Sequence, residues 1–199
     1  MSRQGVFHHA VHTGTVSADG LHAAQNPEHS LGGIAVTSVT TGQSGPQFSL
    51  ADIKGRKQAL AEALKKGPVV LAFFKISCPV CQFTFPFIER IHRAYGNDCV
   101  TIWGISQDDV RDTKEFCDQY GLTFPALIDA DGYPVSNQYG LTNVPTLVLL
   151  SPEGKVKVSG HGFAKRDLES ISAELGKHLR RAPEPVFKSG EKIPDYQPG

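Results

Sequence analysis

The chain has 199 residues, of which 40% are apolar, and this is enough to build one hydrophobic core of ordinary domain size. Its 20 lysines and arginines balance its 20 aspartates and glutamates, so no basic surplus indicates binding to nucleic acid or to an acidic membrane. Residues 1–20 contain no continuous apolar stretch typical of a secretory signal or a membrane anchor, so we expect a cytoplasmic location, or an extracytoplasmic one if the sequence is a trimmed mature form.

Residues 1–46 are rich in glycine, serine, threonine and histidine and contain few large apolar side chains. This composition predicts an irregular or partly ordered extension, with a short strand near residues 34–39. Five of the eight histidines of the chain lie in this extension, at His8, His9, His12, His22 and His29. Such spacing can bind a transition metal, but without a rigid scaffold we interpret the extension as a flexible polar leader and predict no metal site.

The following residues alternate between the apolar periodicities of strands and helices. The predicted strands are 69–75, 99–106, 124–129, 146–150 and 155–159, and the predicted helices are 57–66, 81–95, 109–120 and 165–180. The turn sequence Ser151–Gly154 joins the last two strands into a hairpin. This order predicts an α/β domain over residues 47–181, with a mixed central sheet flanked by helices. Residues 182–199 are rich in proline and predict an extended strap or a disordered tail.

Two cysteines follow the predicted strand 69–75 as a C-x-x-C pair, Cys78 and Cys81. At a helix N-terminus, unpaired backbone N–H groups and the helix dipole favour a thiolate, so we predict that Cys78 is the nucleophile. Cys81 lies one turn further on the same helix face and is predicted to resolve a mixed disulfide formed at Cys78. Pro86 should remove a helix hydrogen bond and kink the helix beyond the pair.

The spacing C-x-x-C-x-x-x-x-P of these residues resembles the active-site helix of the thioredoxin superfamily. The order of the downstream motifs is most similar to the TlpA-like and redoxin branch, the thiol–disulfide reductases related to peroxiredoxins; these motifs are Phe124–Asp129, Asp131-Gly132, Tyr139-Gly140 and Val144-Pro145-Thr146. The resemblance covers about residues 48–179 and implies a thioredoxin-like three-layer sandwich. It also implies a disulfide-containing protein substrate, a thiol reductant and no cofactor other than the redox-active Cys78–Cys81 disulfide.

The resemblance extends to the residues around the cysteine pair. Pro145 resembles the cis-proline that faces the cysteines in this superfamily, and it would turn the backbone of Val144 toward the sulfurs to pair with an extended substrate. Pro79 and Val80, between the cysteines, tune the relative stability of thiolate and disulfide, although valine adds neither charge nor a hydrogen-bond donor.

Two further side chains have both a functional and an ordinary interpretation. Lys75, near Cys78, would stabilise a thiolate by its charge or simply extend into solvent. His161, in the loop before the last helix, would serve as an acid or base near neutral pH or be an exposed loop histidine. The chain departs from the family where a proton acceptor for the second thiol is usual, because Ala72 and Thr84 occupy those positions.

Three alternatives remain at this point. A peroxiredoxin-like thiol peroxidase would need the pattern P-x-x-x-T/S-x-x-C, which neither Cys78 nor Cys81 fits. A copper-binding Sco-like module would use C-x-x-x-C and a distant histidine, for which only His161 is a loose candidate. A structural disulfide or a zinc site is the third, but zinc would need two further ligands. Cys99, at the start of a predicted buried strand, and Cys117, in a predicted helix, are interpreted as small structural hydrophobes.

Overall fold

The computed structural model describes residues 38–96 and 99–199. In chain order, its elements are β1 (Ser49–Ala51), β2 (Lys57–Ala59), α1 (Leu60–Leu64), β3 (Val69–Phe74), α2 (Pro79–Tyr95), β4 (Thr101–Ser106), α3 (Val110–Tyr120), β5 (Ala126–Ile128), α4 (Pro134–Gln138), β6 (Thr146–Leu150), β7 (Val156–His161), β8 (Phe163–Ala164), α5 (Lys165–His178) and β9 (Tyr196–Gln197). Within these ranges, no helix combines the length and the apolar character needed to cross a lipid bilayer.

A five-stranded sheet in the order β5-β4-β3-β6-β7 forms the centre of the fold. The pairs β3–β4 and β4–β5 are parallel, whereas β6 runs antiparallel to both β3 and β7. The hairpin predicted from the turn at Ser151–Gly154 is present as β6 and β7. The mixed sheet predicted from the order of the elements is therefore confirmed.

The central strand β3 is fully buried because each of its faces packs against a separate apolar layer. Val70, Ala72 and Phe74 face a cluster that includes side chains from α2, α3 and α5. The alternate residues of β3 face a second cluster, which includes side chains of α1 together with Trp103 and Tyr139. This arrangement follows from the period of two in a strand and confirms the predicted three-layer α/β sandwich.

Two of the predicted helices begin and end at the residues that mark helix boundaries. The Asp109 side chain accepts a hydrogen bond from the backbone N–H of Asp112 at 2.8 Å and so caps α3. Gly121 ends the same helix in the left-handed conformation, at φ 62°. Helix α2 begins directly after Cys78, with Pro79 in its first turn, where the missing proline N–H costs no helix hydrogen bond.

Three local predictions are wrong. The predicted helix 57–66 is shorter, because residues 57–59 instead form β2 and pair with β1. The predicted strand 99–106 begins only at Thr101, and Cys99 is exposed at φ 62°, so it is not a buried structural hydrophobe. Helix α4 was not predicted; the buried Asp129 carboxylate accepts hydrogen bonds from the first N–H groups of this five-residue segment.

Residues 1–37, with the five histidines and most of the predicted strand at 34–39, lie outside the described residues. The part of the predicted extension that is described, residues 38–46, hydrogen-bonds to the domain. The N–H of Val39 donates to the carbonyl of Tyr139 at 3.1 Å, and that of Gly42 donates to the carbonyl of Val156 at 2.9 Å. At the other end of the chain, residues 182–199 form an extended segment that ends in β9 and packs on α2 and β8; we call this segment the strap.

Candidate active site

The cysteine pair lies where β3 ends and α2 begins. Cys78 is half-buried and has an extended backbone conformation at the N-cap of α2. Its Sγ accepts a hydrogen bond from the backbone N–H of Cys81 at 3.3 Å. One of the helix N–H groups that lack an intrahelical partner is therefore directed at this sulfur, as the sequence predicts. Both cysteines are free thiols in this structure.

Cys81 differs from Cys78 in its surroundings, because it is fully buried. Burial raises the pKa of the Cys81 thiol above its ordinary value. A hydrogen bond and the charge of Cys78, together with the charge of Asp108, raise this pKa further, while a hydrogen bond from the backbone of Lys75 opposes them. The arrangement thus offers one accessible sulfur and one covered sulfur that holds its proton.

The loop that leads into β6 faces the pair, because β6 runs antiparallel to β3 and begins at the edge of the sheet where β3 ends. The peptide bond between Val144 and Pro145 is cis, the form that the family resemblance implies. The Val144 carbonyl accepts a hydrogen bond from Cys78 Sγ at 3.4 Å, so this backbone lies directly beside the more accessible sulfur. The carbonyl of Pro145 accepts a bond from the N–H of Gly162 at 2.8 Å, which ties the loop to the turn between β7 and β8.

The turn that carries Cys78 is held by two side chains that were not predicted from the sequence. Asp108 Oδ2 accepts a hydrogen bond from the backbone N–H of Ile76 at 2.7 Å, and Gln82 Nε2 donates to the Ile76 carbonyl at 2.9 Å. The strand–helix–strand order from β3 to β4 is the available signal, because such a connection makes neighbouring strands parallel and brings Asp108, after the end of β4, to the edge where β3 ends.

The remaining predicted side chains lie at different distances from the sulfurs. Pro79 is exposed and Val80 half-buried in the first turn of α2, and Pro86 lies inside this helix. The Thr84 hydroxyl donates to the Val80 carbonyl at 2.6 Å and does not act as a carboxylate would. The Lys75 ammonium lies 6.0 Å from the centroid of the Tyr133 ring.

His161 lies at the end of β7 and is exposed. It lines a cavity together with Asp167, Asp195 and Tyr196, and neither cysteine lines this cavity. A role of His161 as an acid or base at the sulfurs remains a prediction. Across residues 38–96 and 99–199, no group of three histidine, cysteine, aspartate or glutamate side chains is placed so that it could hold a metal ion.

Comparison with known proteins identifies a family and individual relatives. The family described as the AhpC/TSA family matches residues 41–159. The thiol-disulfide oxidoreductase ResA of Geobacillus thermodenitrificans is 33% identical over 141 residues, which is 68% of this chain and 80% of that protein.

Two solved structures extend the comparison to the fold. The thioredoxin domain of a thiol-disulfide oxidoreductase from Bacteroides vulgatus superposes with a TM-score of 0.61 at 24% identity, covering 69% of this chain and 98% of that one. A secreted disulfide oxidoreductase of Mycobacterium tuberculosis superposes with a TM-score of 0.55 at 27% identity, covering 66% of this chain and 96% of that one. The likeness to the first of these structures concerns the fold alone.

Proposed function

This chain belongs to the AhpC/TSA family, and we propose that it exchanges disulfides with protein substrates through the Cys78–Cys81 pair. Its relatives include thiol-disulfide oxidoreductases, and the protein is an oxidoreductase of that class. The observation that supports the proposed site best is the asymmetry of the two sulfurs. Cys78 is half-buried at a helix N-terminus, and Cys81 is fully buried one turn behind it.

In the first step, the Cys78 thiolate attacks one sulfur of a substrate disulfide. A bond forms between Cys78 and that sulfur, the substrate disulfide breaks, and the other substrate sulfur leaves as a thiolate that takes a proton. The N–H of Cys81, which points at Cys78 Sγ, stabilises the charge on the attacking sulfur before the reaction. The half-buried position of Cys78 leaves it accessible to the substrate.

In the second step, Cys81 attacks Cys78 Sγ and releases the substrate as a dithiol. The Cys81 proton ends on the departing substrate sulfur, so the substrate gains two electrons and two protons in total and the protein loses them. Because burial raises the pKa of Cys81, this thiol stays protonated until the mixed disulfide is present. A thiol reductant then restores the dithiol, and the same steps in reverse would oxidise a substrate.

The loop of Val144 and Pro145 supplies the surface for an extended substrate. The Val144 backbone lies beside Cys78, as the bond between its carbonyl and Cys78 Sγ shows. A substrate strand that pairs with this backbone would present its disulfide to Cys78. Main-chain pairing is independent of side-chain identity, so it suits an enzyme that acts on several protein disulfides.

Trapping tests the assignment of the two sulfurs. Reduced Cys81→Ser protein mixed with a protein disulfide such as insulin should accumulate a mixed disulfide at Cys78, visible as a mass increase on that peptide. Cys78→Ser protein should accumulate none, because Cys81 is buried. A mixed disulfide that forms on Cys81 in Cys78→Ser protein, with none on Cys78 in Cys81→Ser protein, would reverse the assignment.

The same proteins distinguish the alternatives. Consumption of hydrogen peroxide by the reduced protein, with a sulfenic acid on one cysteine, would identify a thiol peroxidase. Copper retained through purification would favour the Sco-like alternative. The cytoplasmic location remains a prediction, and fractionation of cells that express the full natural gene product would test it.

A further inference from the structure

The strap runs along α2 from the C-terminal end of the helix toward its N-terminal end. Near the helix end, the N–H of Glu184 donates to the Tyr95 hydroxyl at 2.7 Å. Five residues earlier in the helix, Arg90 forms two hydrogen bonds of 2.8 and 2.7 Å with Glu191. Residues further along the strap therefore lie closer to the cysteines, and its last part, residues 195–199, is called the strap end below.

The strap end pairs as a strand beside the first turns of α2. Gln197 pairs with Phe163 in the two-stranded β8–β9 sheet, and the N–H of Lys165 donates to the Asp195 carbonyl at 2.9 Å. The centroid of the Phe163 ring lies 4.9 Å from that of the Phe83 ring, and Phe83 is two residues after Cys81. One layer of side chains thus separates the strap end from the helix that carries the cysteines.

The strap end also touches the cis-proline loop. A Cβ atom added to Gly199 would lie 2.5 Å from the Val144 carbonyl oxygen and 2.9 Å from Asn143 Nδ2. The Gly199 backbone is therefore packed against the same carbonyl that accepts the hydrogen bond from Cys78 Sγ. Two routes, through Phe163 and through Val144, place the strap end at the border of the cysteine site.

We propose that the strap end forms one wall of the substrate groove at Cys78 and determines which disulfides reach this thiol. This inference rests on the proposed function. An extended protein segment that pairs with the backbone of Val144 needs the space that the Gly199 backbone now takes beside that residue. A small disulfide needs no such pairing and reaches the half-buried Cys78 with the strap end in place.

The proposal requires the strap end to move while the rest of the strap stays bound. Val186 is buried and Glu191 is paired with Arg90, and both lie before the strap end. The strap end itself is held by a ladder of two residue pairs, by the hydrogen bond from the Lys165 N–H to the Asp195 carbonyl and by the packing of Gly199 on Val144, and Tyr196 is 51% exposed. A protein substrate must displace this short ladder, so its apparent affinity is reduced by the fraction of molecules in which the strap end is open.

Alkylation of Cys78 tests whether the strap end restricts access to this thiol, and it does so without relying on catalysis. A chain ending at Pro194 lacks the strap end but keeps the Arg90–Glu191 pair, and both this chain and the full chain carry Cys99→Ser, because Cys99 is exposed. A small reagent, iodoacetamide, should react with Cys78 at the same rate in both. A maleimide on a polyethylene glycol chain should react about tenfold faster with the shortened chain, as expected when an open fraction near one tenth rises to one.

Two full-length variants keep the test independent of truncation. Gly199→Val pushes the strap end away from Val144 and should accelerate the large reagent selectively, as the truncation does. Lys192→Ala changes an exposed strap residue outside the strap end and should leave both rates unchanged. Equal rates of the large reagent in all proteins, or a parallel increase for both reagents, would overturn the proposal.

Turnover then separates this proposal from the proposed function. Loss of the strap end should raise the rate of insulin reduction and leave that of oxidised glutathione unchanged. If no protein reduces any disulfide while the alkylation difference persists, the proposed function fails and the wall stands. If both disulfides are reduced but the truncation changes neither rate, the wall fails and the proposed function stands.

Discussion

At the scale of single residues, burial of Cys81 links the redox site to folding. Its pKa is raised from the ordinary value of 9.0, so the folded protein keeps this proton at a pH where the unfolded chain loses it. The reduced protein should therefore lose stability as the pH rises above 9.0, by up to about 1.4 kcal/mol per pH unit for this thiol. Cys81→Ser lacks this titrating thiol, so its free energy of unfolding, measured with urea under reducing conditions, should fall less over the same pH range.

Cys117 serves as a comparison, because burial raises its pKa to about 11. Cys117→Ser should remove the loss of stability that Cys117 causes, and this loss occurs only between pH 9.0 and about pH 11. Above that interval the wild-type protein and Cys117→Ser should change in parallel, while Cys81→Ser should still differ from both. Identical pH dependences for all three proteins would contradict the effect attributed to burial.

Asp108 acts on the same thiol through its charge, which raises the pKa of Cys81. Asp108→Asn removes the charge and keeps an oxygen that can accept the hydrogen bond from the Ile76 N–H. Cys81 should then form its thiolate at lower pH and react about two- to tenfold faster with iodoacetamide at a fixed pH, since a nearby charge of like sign costs on the order of 1 kcal/mol. Mass spectrometry of the Cys81 peptide in a Cys78→Ser background measures the rate.

The direction of the change distinguishes two roles for Asp108. A carboxylate that only repels the Cys81 thiolate slows its formation, so the neutral variant reacts faster across the whole pH profile. A carboxylate that accepts the Cys81 proton during resolution would instead make release of the substrate slower in the variant. Asp131→Asn, an exposed acid in a turn, is the control and should change neither rate.

At the scale of elements, local sequence patterns were sufficient to predict the helix boundaries that depend on neighbouring residues alone. Asp109 and Gly121 mark the ends of α3 because capping and a positive φ depend only on neighbouring residues. The position of Cys78 at a helix N-terminus was predictable for the same reason, since an apolar strand and an amphipathic helix flank it. The roles of the two cysteines stay predictions until the trapping experiment is done.

Long-range pairing decides the features that the sequence did not reveal. Residues 57–66 are mostly good helix formers, but pairing with β1 turns the first three into a strand. Asp108 reaches the cysteine turn only because β3 and β4 are parallel neighbours. The strap end reaches Val144 through its pairing with β8, between residues more than thirty positions apart. None of these contacts leaves a periodic signal in the sequence.

Two glycines in turns at the ends of elements allow the crowding at the strap end to be measured. Gly162 and Gly121 have nearly the same φ, 69° and 62°. A Cβ on Gly121 would meet nothing within 4 Å, whereas one on Gly162 would collide with the Gln197 carbonyl and lie 2.9 Å from the Gly199 nitrogen. Gly121→Ala should cost about 1 kcal/mol for the left-handed conformation alone, and Gly162→Ala about 2–4 kcal/mol.

Urea unfolding of the two alanine variants gives the comparison directly. The difference between them isolates the cost of crowding against the strap, because both carry the same backbone penalty. Equal losses would mean that the strap end yields without cost. Gly162→Ala in the chain ending at Pro194 should then fall to the cost of Gly121→Ala, since Gln197 and Gly199 are absent.

At the scale of the whole molecule, the strap joins the last helix to the helix that carries the cysteines. Glu191 pairs with Arg90 of α2, and the hydrogen bond from this arginine lowers the pKa of Glu191 to about 2. The contribution of the pair to stability is present above the ordinary pKa of 4.5 and is lost as the pH falls toward about 2. The stability difference between wild type and Glu191→Gln should therefore shrink across this interval.

Glu62 provides the matched control, since it forms an ion pair with Lys65. The side chains of Glu62 and Lys65 are 66% and 69% exposed. Such exposed pairs contribute little, so Glu62→Gln should match wild type at every pH. The Arg90–Glu191 side chains are only 33% and 24% exposed and are joined by two hydrogen bonds. A wild-type advantage over Glu191→Gln that persists unchanged to the lowest pH would mean that glutamate packing, rather than charge, fastens the strap to α2.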